Sequence, residues 1–132
     1  MALANRLYGD TMVLNPAGRR IDHTYAEDFK AELQPFLDRC TADGHRLVLD
    51  FSAVEYISSV GLRVLMIAAR QAKAQQGVVV VASLQPVVKE IFDISRFNLV
   101  IECFASVRDA IFKISSTALA AFDAKQMMQN RT

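Results

Sequence analysis

The spacing of apolar positions changes repeatedly along the chain, and each change marks an element. Thr11–Asn15 (TMVLN) is a short β-prone run closed by Pro16 and Gly18. Gly18–Asp22 (GRRID) reads as a second short strand ending at Asp22. From Thr24 to Cys40 the residues Tyr25, Phe29, Leu33, Phe36 and Leu37 recur at helical spacing. Asp22, His23 and Thr24 are candidate caps of this helix, and Glu27 and Asp28 lie where carboxylates favour its positive end. Pro35 removes a backbone donor inside the pattern, which predicts a kink or a looser last turn. After a turn at Asp43-Gly44, Arg46–Phe51 (RLVLDF) is apolar enough for a strand covered on at least one face.

Gly61–Gln76 follows as a strong helix, with Leu62, Leu65, Met66, Ala69 and Ala72 on one face and Arg63, Arg70 and Lys73 largely off it. Gly77 is the expected terminator. Val78–Ala82 (VVVVA) is a buried strand. Pro86 suits the first turn of a helix running to Ile94, Leu99–Phe104 is the next strand, and Ser106 caps a last helix with Asp109 three residues on. Beyond Ile114 the sequence either lengthens that helix or frays. The order is ββαβαβαβα, which predicts an α/β fold with helices packed on a mixed sheet of about five strands. Residues 1–112 are expected to form the domain, and 113–132 a C-terminal helical extension or mobile tail.

The totals narrow the function. A chain of 132 residues, 52% apolar and 22% charged, fits one globular domain. Its 15 Lys and Arg against 14 Asp and Glu leave a net charge of +1, without the basic surplus that nucleic acid or anionic lipid would call for. The two cysteines, Cys40 and Cys103, come without CxxC or His-rich spacing, which argues against a disulfide framework or a zinc site. MALANRLYGD lacks the apolar core of a signal peptide, and no run approaches the ~18 apolar residues of a membrane span. A cytoplasmic protein without membrane insertion is expected.

Enzyme constellations are missing. There is no GxGxxG or Walker A run, Ser58 and Ser59 stand outside a GxSxG elbow, and His23 and His45 have no triad context. His23 reads as a solvated loop residue, the cysteines as small core residues, and Asp50 as a turn former. No catalysis and no cofactor are expected. The informative stretch is EYISSVGLRVL, residues 55–65, where two serines stand between a strand-like run and a helical one. A serine there can cap the helix through an early backbone N–H. The same geometry accommodates a phosphoserine, because free N–H groups and the positive dipole end favour an anion. The residues by themselves leave both readings open.

EYISSVGLRVL, with RLVLDFSAV before it and VVVVASLQPVVKEIFDISRF after it, resembles STAS domains of the anti-sigma-factor antagonist (anti-anti-sigma factor) type. GRRIDHTYAEDFKAEL also resembles the stretch that leads into the first helix of that family, and the likeness covers residues 10–112. The resemblance implies a mixed sheet with helices on one side and a regulatory role without catalysis. The unmodified protein would bind an anti-sigma factor that is a serine kinase of the GHKL type. Phosphorylation would end that binding, and a PP2C-type phosphatase would reverse it.

Matching on Gly61 places the phosphoacceptor on Ser59 and sets Ser58 where the family has aspartate. The match sets Asp22, Ser58, Val60 and Gly61 at the partner-binding site, and helix position adds Arg63, one turn along and placed to steer a partner or pair with the phosphate, and Ile67, apolar on an otherwise polar face. The alternative is a STAS subunit of a transport or lipid-trafficking complex without phosphorylation, in which Ser59 only caps the helix.

Overall fold

The computed structural model describes residues 3–130. Strands β1 (Ala4–Tyr8) and β2 (Thr11–Asn15) form an antiparallel hairpin. Three more strands, β4 (Arg46–Asp50), β6 (Val79–Ala82) and β7 (Cys103–Phe104), add to β2 in parallel, giving the order β1-β2-β4-β6-β7. A separate parallel ribbon joins β3 (Arg20–Ile21) to β5 (Tyr56–Ile57). The helices are α1 (Ala26–Asp38), α2 (Ser59–Ala74), α3 (Pro86–Ile94), α4 (Val107–Ile114) and α5 (Ser116–Gln129), with a 3₁₀ turn at Phe97–Leu99. This is the mixed α/β sheet expected from the alternation of strands and helices.

Period-two alternation in the central strands divides the core. Leu14, Leu47, Leu49 and Val81 face α1, α2 and α3, where Phe29, Leu33, Leu65, Ala68, Val88 and Phe92 are buried against them. Val13, Val48, Val80 and Ala82 face the other way, under Ala110, Ile111 and Ala118 of α4 and α5. The helices therefore lie on both faces, not on the single side that the family likeness implied. Parallel central strands with consecutive apolar residues, Leu47-Val48-Leu49 and Val79–Ala82, leave two faces to cover.

Other expectations shift in ways with a physical reason. Strand β1 escapes a periodicity search because Ala4–Leu7 are exposed and only Tyr8 is buried, so it pairs as an edge strand without an apolar face. The Gly18–Asp22 run forms only the two residues of β3, because β3 pairs with β5 and not with the main sheet. In Leu99–Phe104 only Cys103–Phe104 is strand; Phe97 and Ile101 turn inward and hold the preceding segment as a 3₁₀ turn. Helix α2 begins at Ser59, two residues before Gly61, and ends at Ala74. Its terminal left-handed residue is Gln76, with φ 60°, while Gly77 packs on the Cys40 carbonyl where a side chain would collide. Helix α1 runs through Pro35 to Asp38 and has Tyr25 at its cap position, with no side-chain bond. Ser106 does cap α4, accepting from the Asp109 N–H at 3.0 Å.

Residues beyond Ile114 do not continue α4. Ser115 is extended, at φ −160° and ψ 113°, and a second helix starts after it. Its hydroxyl accepts from the Ala118 N–H at 3.1 Å and donates to the Asp10 carboxylate at 2.6 Å. Asp10 also accepts from the Thr11 hydroxyl and pairs with Arg46, so one carboxylate joins the β1–β2 turn, the start of β4 and the α4–α5 junction. Along α5, Phe122 sets its ring edge-on to Tyr8 at 5.0 Å.

Partial burial pushes the Asp10 carboxyl up, but the hydrogen bonds from Ser115 and Thr11 and the Arg46 charge outweigh it and leave its pKa lowered. A carboxyl depressed in the folded state stabilises above its unfolded pKa, about 3.9, and loses that contribution as pH falls. Urea midpoints measured between pH 6 and pH 2 are therefore expected to fall more steeply below about pH 4 in the wild type than in Asp10→Asn. Parallel curves would separate Asp10 from acid stability.

Candidate functional site at the start of helix α2

The site forms where the β3–β5 ribbon meets the N-terminus of α2. Ile21 and Ile57 pair across the ribbon, so Asp22 and Ser58, the residues that follow them, leave it side by side. The Ser58 N–H donates to the Ile21 carbonyl at 3.0 Å, and the Glu55 N–H donates to the Arg19 carbonyl at 2.7 Å. The Arg20 guanidinium lies over the Tyr56 ring, 4.5 Å from its centroid. Helix α2 thus starts from a fixed point.

Gly61 explains how closely it starts. A Cβ at this position would run into the Ile21 carbonyl oxygen and come within 2.7 Å of Ile57 Cγ1. Only a residue without a side chain lets the first turn of α2 rest on the β3 backbone.

The two serines take different jobs. Ser58 is extended and caps α2: its Oγ accepts from the Gly61 N–H at 3.4 Å and donates to the Ile21 carbonyl at 3.4 Å. Ser59 is the first helical residue and is exposed. The cap therefore belongs to Ser58 and not to Ser59, and among the described residues no hydrogen bond engages the Ser59 hydroxyl. Asp22 holds the approach to α1. Its carboxylate accepts from the Thr24 hydroxyl at 2.6 Å, the Thr24 N–H at 3.0 Å and Arg20 at 3.3 Å, and the Thr24 bonds foremost lower its pKa.

Beyond Ser59, α2 turns Arg63, Ile67 and Arg70 outward. Ser59, Leu62, Arg63, Met66, Ile67 and Arg70 line an open depression of about 360 Å³, and Phe97 closes its far side. Its charged lining groups are two arginines. Of the residues expected from the sequence, Ser59, Arg63 and Ile67 are brought together here. Val60 is exposed beside them, Gly61 is buried beneath, and Asp22 and Ser58 sit at the foot of the helix.

Arg70 belongs to this depression through helical spacing alone, whereas Phe97 reaches it from a turn that periodicity had not assigned. No signal short of tertiary contact marks Phe97. The cysteines lie elsewhere: burial pushes the Cys103 thiol up to about 11 and raises Cys40, so neither is a thiolate at neutral pH.

The family model described as STAS domain matches residues 3–110. The chain belongs to the STAS domain family. A curated relative from Bordetella bronchiseptica, whose provisional name is anti-sigma factor antagonist BtrV, is 39% identical over 99 residues, covering 75% of this chain and 82% of the relative. That likeness places the chain with the anti-sigma-factor antagonists of the family.

Among solved structures, an anti-sigma-factor antagonist (STAS) domain protein from Planctomyces limnophilus superposes with a TM-score of 0.75 at 19% identity, covering 87% of this chain and 99% of that one. The Bacillus cell fate determinant SpoIIAA, in its phosphorylated form, superposes with a TM-score of 0.61 at 17% identity, covering 86% and 100%. At such identities these two report on the fold. No helix among the described residues is long and apolar enough to cross a membrane.

Three substitutions separate the roles around this STAS helix. Ser58→Ala is expected to cost about 1 kcal/mol through the lost cap. Ser59→Ala should stay within about 0.5 kcal/mol, as an exposed change. Gly61→Ala should cost about 1–3 kcal/mol from overpacking on β3. Urea denaturation of the three proteins gives the order, and equal costs at Ser58 and Ser59 would contradict the division.

Proposed function

We propose that this protein is a partner-switching module without catalytic activity of its own. Unmodified, it binds an anti-sigma factor that is a GHKL-type serine kinase. That kinase phosphorylates Ser59, binding ends, and a PP2C-type phosphatase restores the binding form. The observation that carries this reading is the division of labour between the serines. Ser58 holds the helix, which leaves the exposed Ser59 hydroxyl uncommitted at the rim of a depression with two arginines. A Bacillus protein of the same fold has been solved in a phosphorylated form, which is in keeping with it.

A phosphoserine at Ser59 adds about −1.5 to −2 charge at neutral pH. Placed at the first position of α2, the anion is favoured by the helix dipole and lies one turn from Arg63. It therefore remains compatible with the folded domain while altering the charge that a partner meets. Since Ser58 and not Ser59 makes the cap, modification need not break the helix start. The switch acts on the surface and leaves the fold in place.

The test uses GHKL-type kinases from the same genome, each incubated with this protein and ATP, with phosphate located by mass spectrometry. One of them is expected to label Ser59 and to leave Ser59→Ala unlabelled. In pull-downs, Ser59→Ala should retain that kinase and Ser59→Asp should lose at least about tenfold in affinity. Undiminished label in Ser59→Ala would remove the acceptor assignment. Equal retention of the two variants would remove the switch.

A further inference from the structure

Helix α2 is unusual in its charge. From Tyr56 to Lys89 the sequence holds Arg63, Arg70, Lys73 and Lys89 and no Asp or Glu. Lys89 pairs with Asp93 at 2.9 Å, but Arg63, Arg70 and Lys73 enter none of the ion pairs among the described residues. Three unpaired cations at helical spacing repel one another slightly and gain nothing within this domain. Ile67 stands between Arg63 and Arg70 and is 43% exposed.

The segment after α3 lies alongside this helix. Phe97 closes the depression that starts at Ser59. A second depression, of about 400 Å³, continues between Ala69, Ala72 and Lys73 of α2 and Val100, Ile101 and Glu102. The two succeed one another along α2 as a groove, faced by a wall segment that gives Phe97 to the first and Val100, Ile101 and Glu102 to the second. On that wall Phe97 and Ile101 are buried anchors, while Leu99 and Val100 are 79% and 44% exposed and Ile94, just before it, is 76% exposed. Three large apolar side chains left in water within seven residues, beside a row of cations, mark an interaction surface more than a solvated one.

Arg96 adds an independent observation. It follows α3 with φ 57° and ψ 28°, a left-handed conformation that favours glycine at a helix end. Its side chain is exposed and takes part in no ion pair among the described residues. Glycine would take that conformation with less strain, and Arg96 directly precedes Phe97, so it adds an exposed cation next to the wall residue that closes the first depression.

We propose that the partner docks along the whole of this groove, not at the Ser59 end alone, and that it presents carboxylates around an apolar centre. The carboxylates meet Arg63, Arg70, Lys73 and Arg96; the apolar centre meets Ile67, Leu99 and Val100. Charge complementarity and continuity with the Ser59 depression select this occupant. The inference rests on the partner-switching reading and specifies the chemistry of the partner's face. It also says how phosphate acts, by satisfying Arg63, one turn along α2, from within and so withdrawing a cation that the partner's carboxylates need.

The experiment uses the full chain and, as probe, the GHKL-type kinase that labels Ser59, with association followed by surface plasmon resonance from 50 to 300 mM NaCl. Arg70→Glu with Lys73→Glu should weaken binding at least about tenfold and flatten its salt dependence. Leu99→Ser should weaken it by about fivefold or more with the salt dependence kept. Arg96→Gly should bind more weakly while its Tm is unchanged or raised, a pair of readouts that a structural role would not produce. Lys113→Glu, on α4 across the sheet, reverses one cation away from the groove and should bind like wild type.

If Ser59→Asp binds poorly but the groove variants bind within about twofold of wild type, the groove is overturned and the switch stands. If the wild type does not bind the kinase, the partner reading falls and the groove with it. Circular dichroism on each variant confirms the fold.

Discussion

Everything at the functional end of this molecule depends on how closely the first turn of α2 approaches the backbone of β3. Gly61 allows it, since any Cβ there meets the Ile21 carbonyl. That same carbonyl accepts the Ser58 N–H and the Ser58 hydroxyl, so a single peptide oxygen orients the chain entering the helix and the residue that caps it. The β3–β5 ribbon is only two residues long on each side and would be too weak to persist alone. Packed under a helix start and fixed by Ile21 and Ile57 in the core, it becomes a rigid foot for the serine that follows.

That rigidity is what allows two adjacent serines to differ. Ser58 faces inward to a backbone donor and acceptor, and Ser59, one residue later, faces solvent. A modification at Ser59 therefore changes charge at a surface without competing with the bond that starts the helix. The depression beside it carries arginines and apolar side chains, a combination that gives electrostatic steering together with burial. Regulation by charge at such a place requires little movement of the domain.

The opposite face of the sheet is closed by α4 and α5, which meet at Ser115 and are tied to the sheet through Asp10. This leaves the α2 side unencumbered. The STAS family model ends at residue 110, yet Ala118 and Phe122 of α5 cover Tyr8 and the valines of the second face, so the helix completes a core that the central strands require.

Much of the architecture was legible from one dimension. Period two in RLVLDF and VVVVA, period 3.6 in α1 and α2, and the Ser106 cap all follow from local chemistry, and they suffice for an alternating α/β chain. The serine pair and Arg63 were equally visible, because a cap and a helical face are written within a few residues; the reason for Gly61 was not, since the carbonyl it approaches belongs to Ile21. What the sequence could not settle lay in contacts between distant segments. Edge strand β1 has no apolar face to advertise it, and the extra helices on the second face depend on a sheet buried on both sides. The choice of Ser58 over Ser59 as cap was decided by the Ile21 carbonyl, 37 residues away along the chain. Phe97 came to the α2 depression the same way, through packing. Local residues determined which elements form and which side chains are chemically able; tertiary structure decided which hydroxyl is held and which is free, because only it brings Ile21 and Phe97 against α2.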